Sequence, residues 1–585
     1  MNLETLNFSL TNLYRAYAQG TEPREIYREF RRRLAVWNDP ALFISVAEES
    51  QLEPIFLRLA TYRADELPLY GIPFAIKDNL DWDVLPTTAA CPGFAYQPEA
   101  SAKVVELLID AGAVPVGKTN MDQFATGLVG TRSPYGTPRN ALNASWIPGG
   151  SSSGSASAVA AGLVTFALGT DTAGSGRVPP AFQGLVGYKP TRGLFSTSGV
   201  VPACRSLDCV SLMTKSNDEA FAIQKVLAQF DETDPFARHV RSQRTTFPTT
   251  PTVGVPRPEQ CQFWGDTLYQ EAWNAVLEKW RRLGAQLVEV DYEPFHEAAD
   301  LLYQGPWVAE RLVAAGEIFA SRPEALHPIT AKILAGAEGR TALQTFEASY
   351  RLETLRRVTN QIWQNLDVLL LPTAPTLPTL SQVEADPIGL NTQMGYYTNF
   401  LNLLDLSALA LPGATCSDGR PFGFTLVGPA GADEALFQWG SFWEQRQSQA
   451  PVPTAYGKTI LAVAGAHMRG LPLNSQLLER DARFIAEAFT SSSYRLYTFT
   501  EGRIAKPGLV RVTTGGSCLP LELWDLPESA WGSFLALIPH PLCLGKVELS
   551  SGQWVTGFLM ESSHIEKCRD ITASGGWRRY LNEKR

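Results

Sequence analysis

Gly149-Gly150-Ser151-Ser152-Ser153-Gly154-Ser155-Ala156, followed shortly by Gly169-Thr170-Asp171-Thr172-Ala173-Gly174-Ser175-Gly176-Arg177, decides how this chain folds. A Ser/Gly run by itself reads as a flexible linker. Here the run leads into Ser157 to Leu168, rich in Ala and small apolar residues, which predicts a helix packed closely against a sheet. A second Gly loop rich in N–H donors then follows. The two loops can therefore meet at one spot.

A third segment upstream makes that spot a catalytic candidate. Tyr70-Gly71-Ile72-Pro73-Phe74-Ala75-Ile76-Lys77-Asp78-Asn79 is an apolar, strand-like run that ends in a lysine. A serine hydroxyl is a poor nucleophile near neutral pH and needs a proton acceptor, which a lysine supplies if burial lowers its pKa. Histidine is disfavoured for that task. The chain has six, and His239, His296 and His327, the three among the first 450 residues, lie in no Gly/Ser loop of this kind. The bland alternative for Lys77 is a surface lysine at a strand end.

Together these segments resemble the amidase signature family, serine hydrolases with a Ser-Ser-Lys triad. Ser151 and Ser175 stand 24 positions apart and Lys77 stands 74 before the first, in agreement with the family's spacing. The resemblance implies Lys77 as base, Ser151 as the bridging serine, usually after a cis peptide bond, and Ser175 as the acyl nucleophile. Ser152 is the neighbour most easily confused with Ser151. It also places an oxyanion hole at the backbone N–H groups of Thr172, Ala173, Gly174 and Ser175, with Ala173 where most family members carry Gly. Asp171 and Arg177 flank that loop and are expected to brace it.

Composition fits such an enzyme. At 585 residues with 45% hydrophobic content, the chain is long enough for at least two domains. A net charge of −9 without a basic run argues against nucleic acid and for small-molecule substrates. An N-terminus without an apolar h-region, and no apolar run of spanning length, predict a cytoplasmic protein away from membranes. Eight cysteines without a C-x-x-C pair read as reduced thiols, and no metal site or cofactor is expected.

Residues 5 to 36 read as helical, with a stripe at Leu6, Leu10, Leu13, Ala16 and Tyr17. From about 70 to 445, apolar runs at 71–76, 113–116, 165–168, 252–255, 286–290 and 367–371 alternate with helical stretches, which predicts an α/β fold, a mixed sheet flanked by helices. Phe422 to Pro429 resembles the last strand of amidase domains. The expected amidase domain covers 1–446, with an N-terminal helical arm; a Pro-containing linker covers 447–457, and a smaller α+β domain covers 458–585.

Substrate choice is expected from Leu301-Leu-Tyr303-Gln-Gly-Pro-Trp307-Val-Ala-Glu-Arg311. Gly305-Pro306 breaks one helix and starts another, so Tyr303 ends the first and Arg311 sits on the second. An arginine fork binds a carboxylate through two parallel hydrogen bonds. This segment and the C-terminal extension are similar to allophanate hydrolases within the family. The match implies that Tyr303 and Arg311 hold the carboxylate of allophanate and that Gly127 lines the same pocket. A solvated helix arginine beside Glu310 is the bland reading of Arg311.

The last part opens with Thr459 to Ala464, strand-like, and a turn Gly465-Ala-His467-Met-Arg-Gly470. With Gly470 to Asn474 and Trp554 to Met560 it resembles the γ-glutamyl cyclotransferase-like tail of allophanate hydrolases, although Asp570 to Gly576 lacks that fold's acidic motif. The resemblance implies decarboxylation of the released N-carboxycarbamate, with His467 as participant, and also a homodimer and a link to urea carboxylase or to cyanuric acid breakdown. Rival readings are a malonamate or aryl-amide amidase, the glutaminase subunit of an amidotransferase, and a catalytically silent assembly protein.

Overall fold

The computed structural model describes residues 3–240, 250–444, 459–480, 482–501, 504–527, 530–550 and 553–583. The chain divides into two compact units, Met1–Trp443 and Glu444–Arg585. The expected linker 447–457 lies outside the described residues.

The first unit is built on a sheet of β1 (Phe43–Val46), β2 (Pro73–Lys77), β3 (Val114–Thr119), β4 (Phe166–Asp171), β5 (Val186–Lys189), β6 (Cys209–Thr214), β7 (Thr252–Pro256), β8 (Gln286–Val290), β9 (Val368–Pro372), β10 (Leu406–Thr415) and β11 (Pro421–Pro429). Their order is β1-β3-β2-β4-β6-β5-β10-β11-β9-β7-β8. The sheet is mixed: β2 runs parallel to β3 and β4, and β7 parallel to β8 and β9, while β4 through β9 are joined by antiparallel pairs. Every residue of β2, β3, β4, β6 and β9 is buried, which explains why β2, β3, β4 and β9 read as apolar runs rather than as alternating ones.

Two expected helices take a different form. The arm at 5–36 is two helices, Leu10–Ala18 and Pro23–Trp37, because Gly20 adopts a left-handed φ of 91° and Pro23 opens a new first turn. The segment 157–168 is half helix and half strand. The helix runs from Ser153 to Ala160, starting inside the Ser run itself, and the chain then enters β4. Small side chains make that helix possible: a Cβ at Gly154 would stand 2.6 Å from the Leu42 carbonyl oxygen, too close for any other residue.

The parallel pairing of β2 with β4 sets Ile76 opposite Leu168. Lys77 and Thr170 therefore emerge at the same edge, at the carboxyl ends of neighbouring parallel strands, where α/β sheets leave room for a site. Sequence reading missed β1, β5, β6 and β10.

The second unit contains β12 (Thr459–Val463), β13 (Arg483–Phe489), β14 (Tyr494–Glu501), β15 (Ile504–Arg511), β16 (Pro520–Leu526), β17 (Leu542–Glu548), β18 (Trp554–Met560) and β19 (Arg569–Asp570). They form one sheet in the order β13-β16-β12-β18-β15-β14-β19, with β17 hydrogen-bonded to β18. Trp524, Trp577 and Tyr494 are among its fully buried large side chains. All eight cysteines of the chain are free thiols. Among the described residues, no helix is long and apolar enough to cross a membrane.

Candidate active site

Lys77, Ser151 and Ser175 form a continuous chain of polar contacts at the edge where β2 and β4 end. Lys77 Nζ lies 2.8 Å from Ser151 Oγ, and Ser151 Oγ lies 3.0 Å from Ser175 Oγ. The Gly150–Ser151 peptide bond is cis. The neighbouring serines are engaged elsewhere: Ser152 Oγ donates to the Thr170 carbonyl at 3.2 Å and Ser155 Oγ to the Leu168 carbonyl at 2.8 Å. Among the described residues, Ser151 is thus the one hydroxyl of the run that bridges Lys77 and Ser175.

Lys77 is fully buried, and its removal from water drags the amine down to about 7 although Asp122, Asp208 and Asp171 oppose the shift. None of these carboxylates makes an ion pair with it, so a large share of neutral amine persists near neutral pH. Nζ also contacts Thr170 Oγ1 at 2.7 Å, which in turn accepts from Asn79 Nδ2 at 3.3 Å. Thr170 and Asn79 were not legible as site residues, because only the register of β2 against β4 brings them to the lysine.

Asp171 and Arg177 brace the loop that follows. Their side chains are entirely buried and joined by two 2.9 Å hydrogen bonds, from Arg177 Nε to Oδ2 and from Nη2 to Oδ1. Burial pushes the Asp171 carboxyl up, and Arg177 more than reverses this, holding it below the usual carboxylate range. The same carboxylate accepts the Gly174 and Gly176 N–H groups at 3.0 Å. This corrects the expectation for Gly174: a buried carboxylate needs its acceptor sites filled, and the Gly174 amide fills one of them. Among the described residues, no acceptor engages the N–H groups of Thr172, Ala173 or Ser175. Those three donors stay available around the Ser175 hydroxyl.

Asp208, another residue that sequence reading missed, accepts from Thr172 Oγ1 and from the Ala203 N–H at 2.7 Å. Burial raises its carboxyl to about 6. Asp122 is a second hidden hub. Its N–H donates to the Ser151 carbonyl at 3.1 Å, and its carboxylate accepts from the Gly130 and Arg132 N–H groups at 3.0 and 2.8 Å.

Arg311 is 3% exposed, which removes the reading of a solvated helix arginine. It does not lie on the second helix as expected but at the junction between two short ones, Trp307–Glu310 and Leu312–Ser321. Its own backbone is helical, with φ −61° and ψ −26°, and its side chain is buried. Nη1 donates to Thr126 Oγ1 at 3.1 Å and to the Ala125 carbonyl at 3.3 Å, and Nη2 to Tyr303 Oη at 3.0 Å. Tyr303 ends the preceding helix, Glu293–Tyr303, as its sequence implied. Arg132 Nη1 takes the Thr126 carbonyl at 2.9 Å, so two buried guanidinium groups meet at one residue. Gly127 follows directly, and a Cβ there would overlap the Asp122 carboxylate. This loop also holds the bridging serine, since the Gly150 N–H donates to the Leu128 carbonyl at 2.9 Å.

Residues 27–437 match the family described as Amidase. The chain belongs to the amidase family. This amidase also matches, over residues 459–582, the family described as Allophanate hydrolase C-terminal domain. The urea amidolyase of Saccharomyces cerevisiae is 41% identical over 573 residues, covering 93% of this chain but 31% of that protein. The chain therefore spans about a third of the length of the curated relatives it matches first. The solved structure of Kluyveromyces lactis allophanate hydrolase is 38% identical, with a TM-score of 0.74 over 99% of this chain and 100% of that one. A glutamyl-tRNA(Gln) amidotransferase subunit from Natronomonas pharaonis is 33% identical over 64% of this amidase and 96% of its own length. The chain is an amidohydrolase with the mixed α/β architecture of its family.

In the second unit, His467 Nε2 lies 3.0 Å from Gln476 Oε1, and the ring stacks on Phe558 at 5.1 Å between centroids. Burial lowers the imidazole to about 4, with Gln476 opposing, so it is neutral at ordinary pH. It borders a cavity of about 60 Å³ with Lys506, Pro507, Leu537 and Leu542. Asn474 Nδ2 donates to the His467 carbonyl at 2.9 Å, which folds the Gly470–Asn474 turn back onto it. The fully buried Glu522 accepts the Arg469 N–H at 2.8 Å and pins the same turn; nothing in the sequence pattern marked it. Asp570 Oδ1 accepts from the Thr572 N–H at 2.9 Å, a local turn contact.

Proposed function

We propose that this amidase is an allophanate hydrolase. The observation that carries the substrate assignment is Arg311: a buried guanidinium whose partners are two neutral oxygens of one loop and the Tyr303 hydroxyl, with no carboxylate among the described residues in ion-pair contact. A buried cation without a counter-ion is costly unless an anion arrives to meet it. Allophanate, a urea bearing one carboxylate, supplies that anion beside the scissile amide.

In this mechanism neutral Lys77 accepts the Ser151 proton while Ser151 accepts that of Ser175, and Ser175 Oγ bonds to the terminal amide carbon. The tetrahedral oxyanion is held by N–H groups of Thr172, Ala173 and Ser175, each worth about 3 kcal/mol when lost. The relay run backwards delivers a proton to the leaving nitrogen, and ammonia departs. Water then attacks the acyl carbon, its proton passes to the relay, and the Ser175–acyl bond breaks to release N-carboxycarbamate. His467, a neutral imidazole at the second cavity, assists the loss of carbon dioxide from that product.

The C-terminal match to allophanate hydrolases favours this reading over a glutaminase subunit. The urea amidolyase relatives support a partnership with urea carboxylase, and we place the enzyme as a cytoplasmic homodimer in nitrogen metabolism that consumes allophanate from urea or cyanuric acid breakdown. The test is ammonia release from allophanate, malonamate, glutamine and biuret. Arg311→Gln should cut kcat/KM for allophanate by roughly 30-fold or more, the effect of removing one partner of a buried charge pair, and Ser175→Ala should abolish turnover. Preferred turnover of another amide, indifferent to Arg311, would overturn the substrate and leave the serine chemistry standing.

A further inference from the structure

We infer that His540, Glu561 and His564 form a binding site for one divalent transition-metal ion of the zinc type. The chain has six histidines, and two of them converge here, in the second unit and outside the lining of the His467 cavity. One nitrogen from each imidazole and a carboxylate oxygen lie within 4.8 Å of one another. His540 Nε2 is 3.5 Å from Glu561 Oε2, and His564 Nδ1 is 4.0 Å from the same oxygen. Zinc with nitrogen and oxygen ligands at about 2.0–2.1 Å in tetrahedral geometry separates its ligand atoms by about 3.4 Å. The first distance already meets that value, and the second needs only a small rotation of a half-exposed side chain.

The backbone prepares this arrangement. Leu542 of β17 pairs with Met560 of β18, so the turn before β17, which carries His540, and Glu561, directly after β18, are brought to the same end of the strand pair. The Glu561 N–H donates to the Pro541 carbonyl at 3.1 Å and locks the junction. The chain then enters a 3-10 helix, Ser562–Lys567, and its first turn returns His564 over Glu561, with the His564 N–H on the Glu561 carbonyl at 3.1 Å. The two imidazole rings stand 4.3 Å apart and nearly perpendicular, which lets both nitrogens face one point without ring overlap. Ser563 Oγ, 3.2 Å from His564 Nδ1, is a fourth polar atom beside the set. Two imidazoles and one carboxylate form a donor set that suits zinc, nickel or copper better than calcium or magnesium.

The position gives the ion a structural consequence. Leu537, Ile538, Pro539 and Leu542, which flank His540 in sequence, form one wall of the His467 cavity. Metal bound at His540 ties that wall to the end of β18.

The test is titration of the full-length, reduced protein with cobalt(II), followed by visible absorption, and back-titration with zinc. One cobalt per chain is expected, with ligand-field bands that zinc removes. His540→Ala and His564→Ala should each weaken binding at least ~10-fold, since loss of even an outer-shell partner costs that much. Glu561→Gln should do the same while preserving shape. His239→Ala, which alters an exposed imidazole elsewhere, should leave binding unchanged. All three ligand positions are exposed or half-exposed, and circular dichroism checks that each variant stays folded. Amide exchange over 537–542 should slow when zinc is added. Equal binding in a His540→Ala/His564→Ala double variant, no saturable binding, or an intense sulfur-to-cobalt band that marks thiolate ligation would each overturn the proposal.

Discussion

The pH dependence of turnover is the most direct check on the proposed relay, because it reads the state of one buried amine. Lys77 works as a base only when neutral, and burial sets its midpoint at about 7. The neutral fraction is then about one half at pH 7, about one in eleven at pH 6 and about one in a hundred at pH 5, a loss of about 1.4 kcal/mol of driving force per unit. From Lys77 alone, log kcat/KM for allophanate should therefore approach unit slope below the midpoint and level off above about 7. Asp208, raised to about 6, adds a second limb if its charge is needed to hold Thr172, so the slope should steepen below about 6. In Asp208→Asn the steep part should vanish and the remaining limb should move below 7, because the Asp208 charge opposes the lowering of the lysine. Stability moves in the same direction for a separate reason. A lysine whose folded pKa lies below its unfolded value leaves the unfolded chain binding more protons between about 7 and 10.5, so the fold gains stability as pH rises through that window and bears the full penalty below it. Circular dichroism at each pH separates this from the kinetic limb. The assay is initial ammonia release across buffers of constant ionic strength. A profile that stays flat from pH 8 to 5.5 in folded protein would refute a neutral Lys77 as the base.

Three further outcomes follow from the same geometry. Asp171→Asn strands Arg177 in a fully buried position, and denaturant unfolding should register a loss of about 3–5 kcal/mol; a loss below about 1 kcal/mol would mean that the pair does not brace the loop. Gly127→Ala drives a methyl group into the Asp122 carboxylate, so both melting temperature and turnover should fall, and unchanged values in both would show that the Asp122 loop yields freely. His467→Ala should slow carbon dioxide release while leaving ammonia release intact, measured side by side; equal slowing of both products would remove the second cavity from the decarboxylation step.

The sequence by itself determined the parts whose signals are local. Unbroken apolar runs announced the buried strands at 71–76, 165–168 and 367–371, because strands covered on both faces carry no polar alternation. The Gly/Ser loops marked where backbone must approach backbone, and Gly305-Pro306 marked the break after Tyr303. Local pattern also placed Lys77 at the end of its strand. Local pattern alone did not separate Ser151 from Ser152 and Ser155; the family spacing singled out Ser151, and the fold sets its hydroxyl against Lys77 while the other two reach backbone carbonyls. Nor did local pattern reveal Thr170, Asn79, Asp122 and Asp208, ordinary polar residues whose contacts with Lys77, Thr170, Ser151 and Thr172 span about 30 to 90 positions. Gly174 read as a free donor until Asp171 was seen to claim its amide. Arg311 could be read as a solvated helix residue until its burial and its contacts with Thr126 and Tyr303 were in view. Periodicity and turn chemistry are properties of neighbours along the chain, so sequence carries them. Burial, hydrogen-bond partnership and the pKa of a lysine depend on what the fold packs around a side chain, and only the tertiary structure decides that.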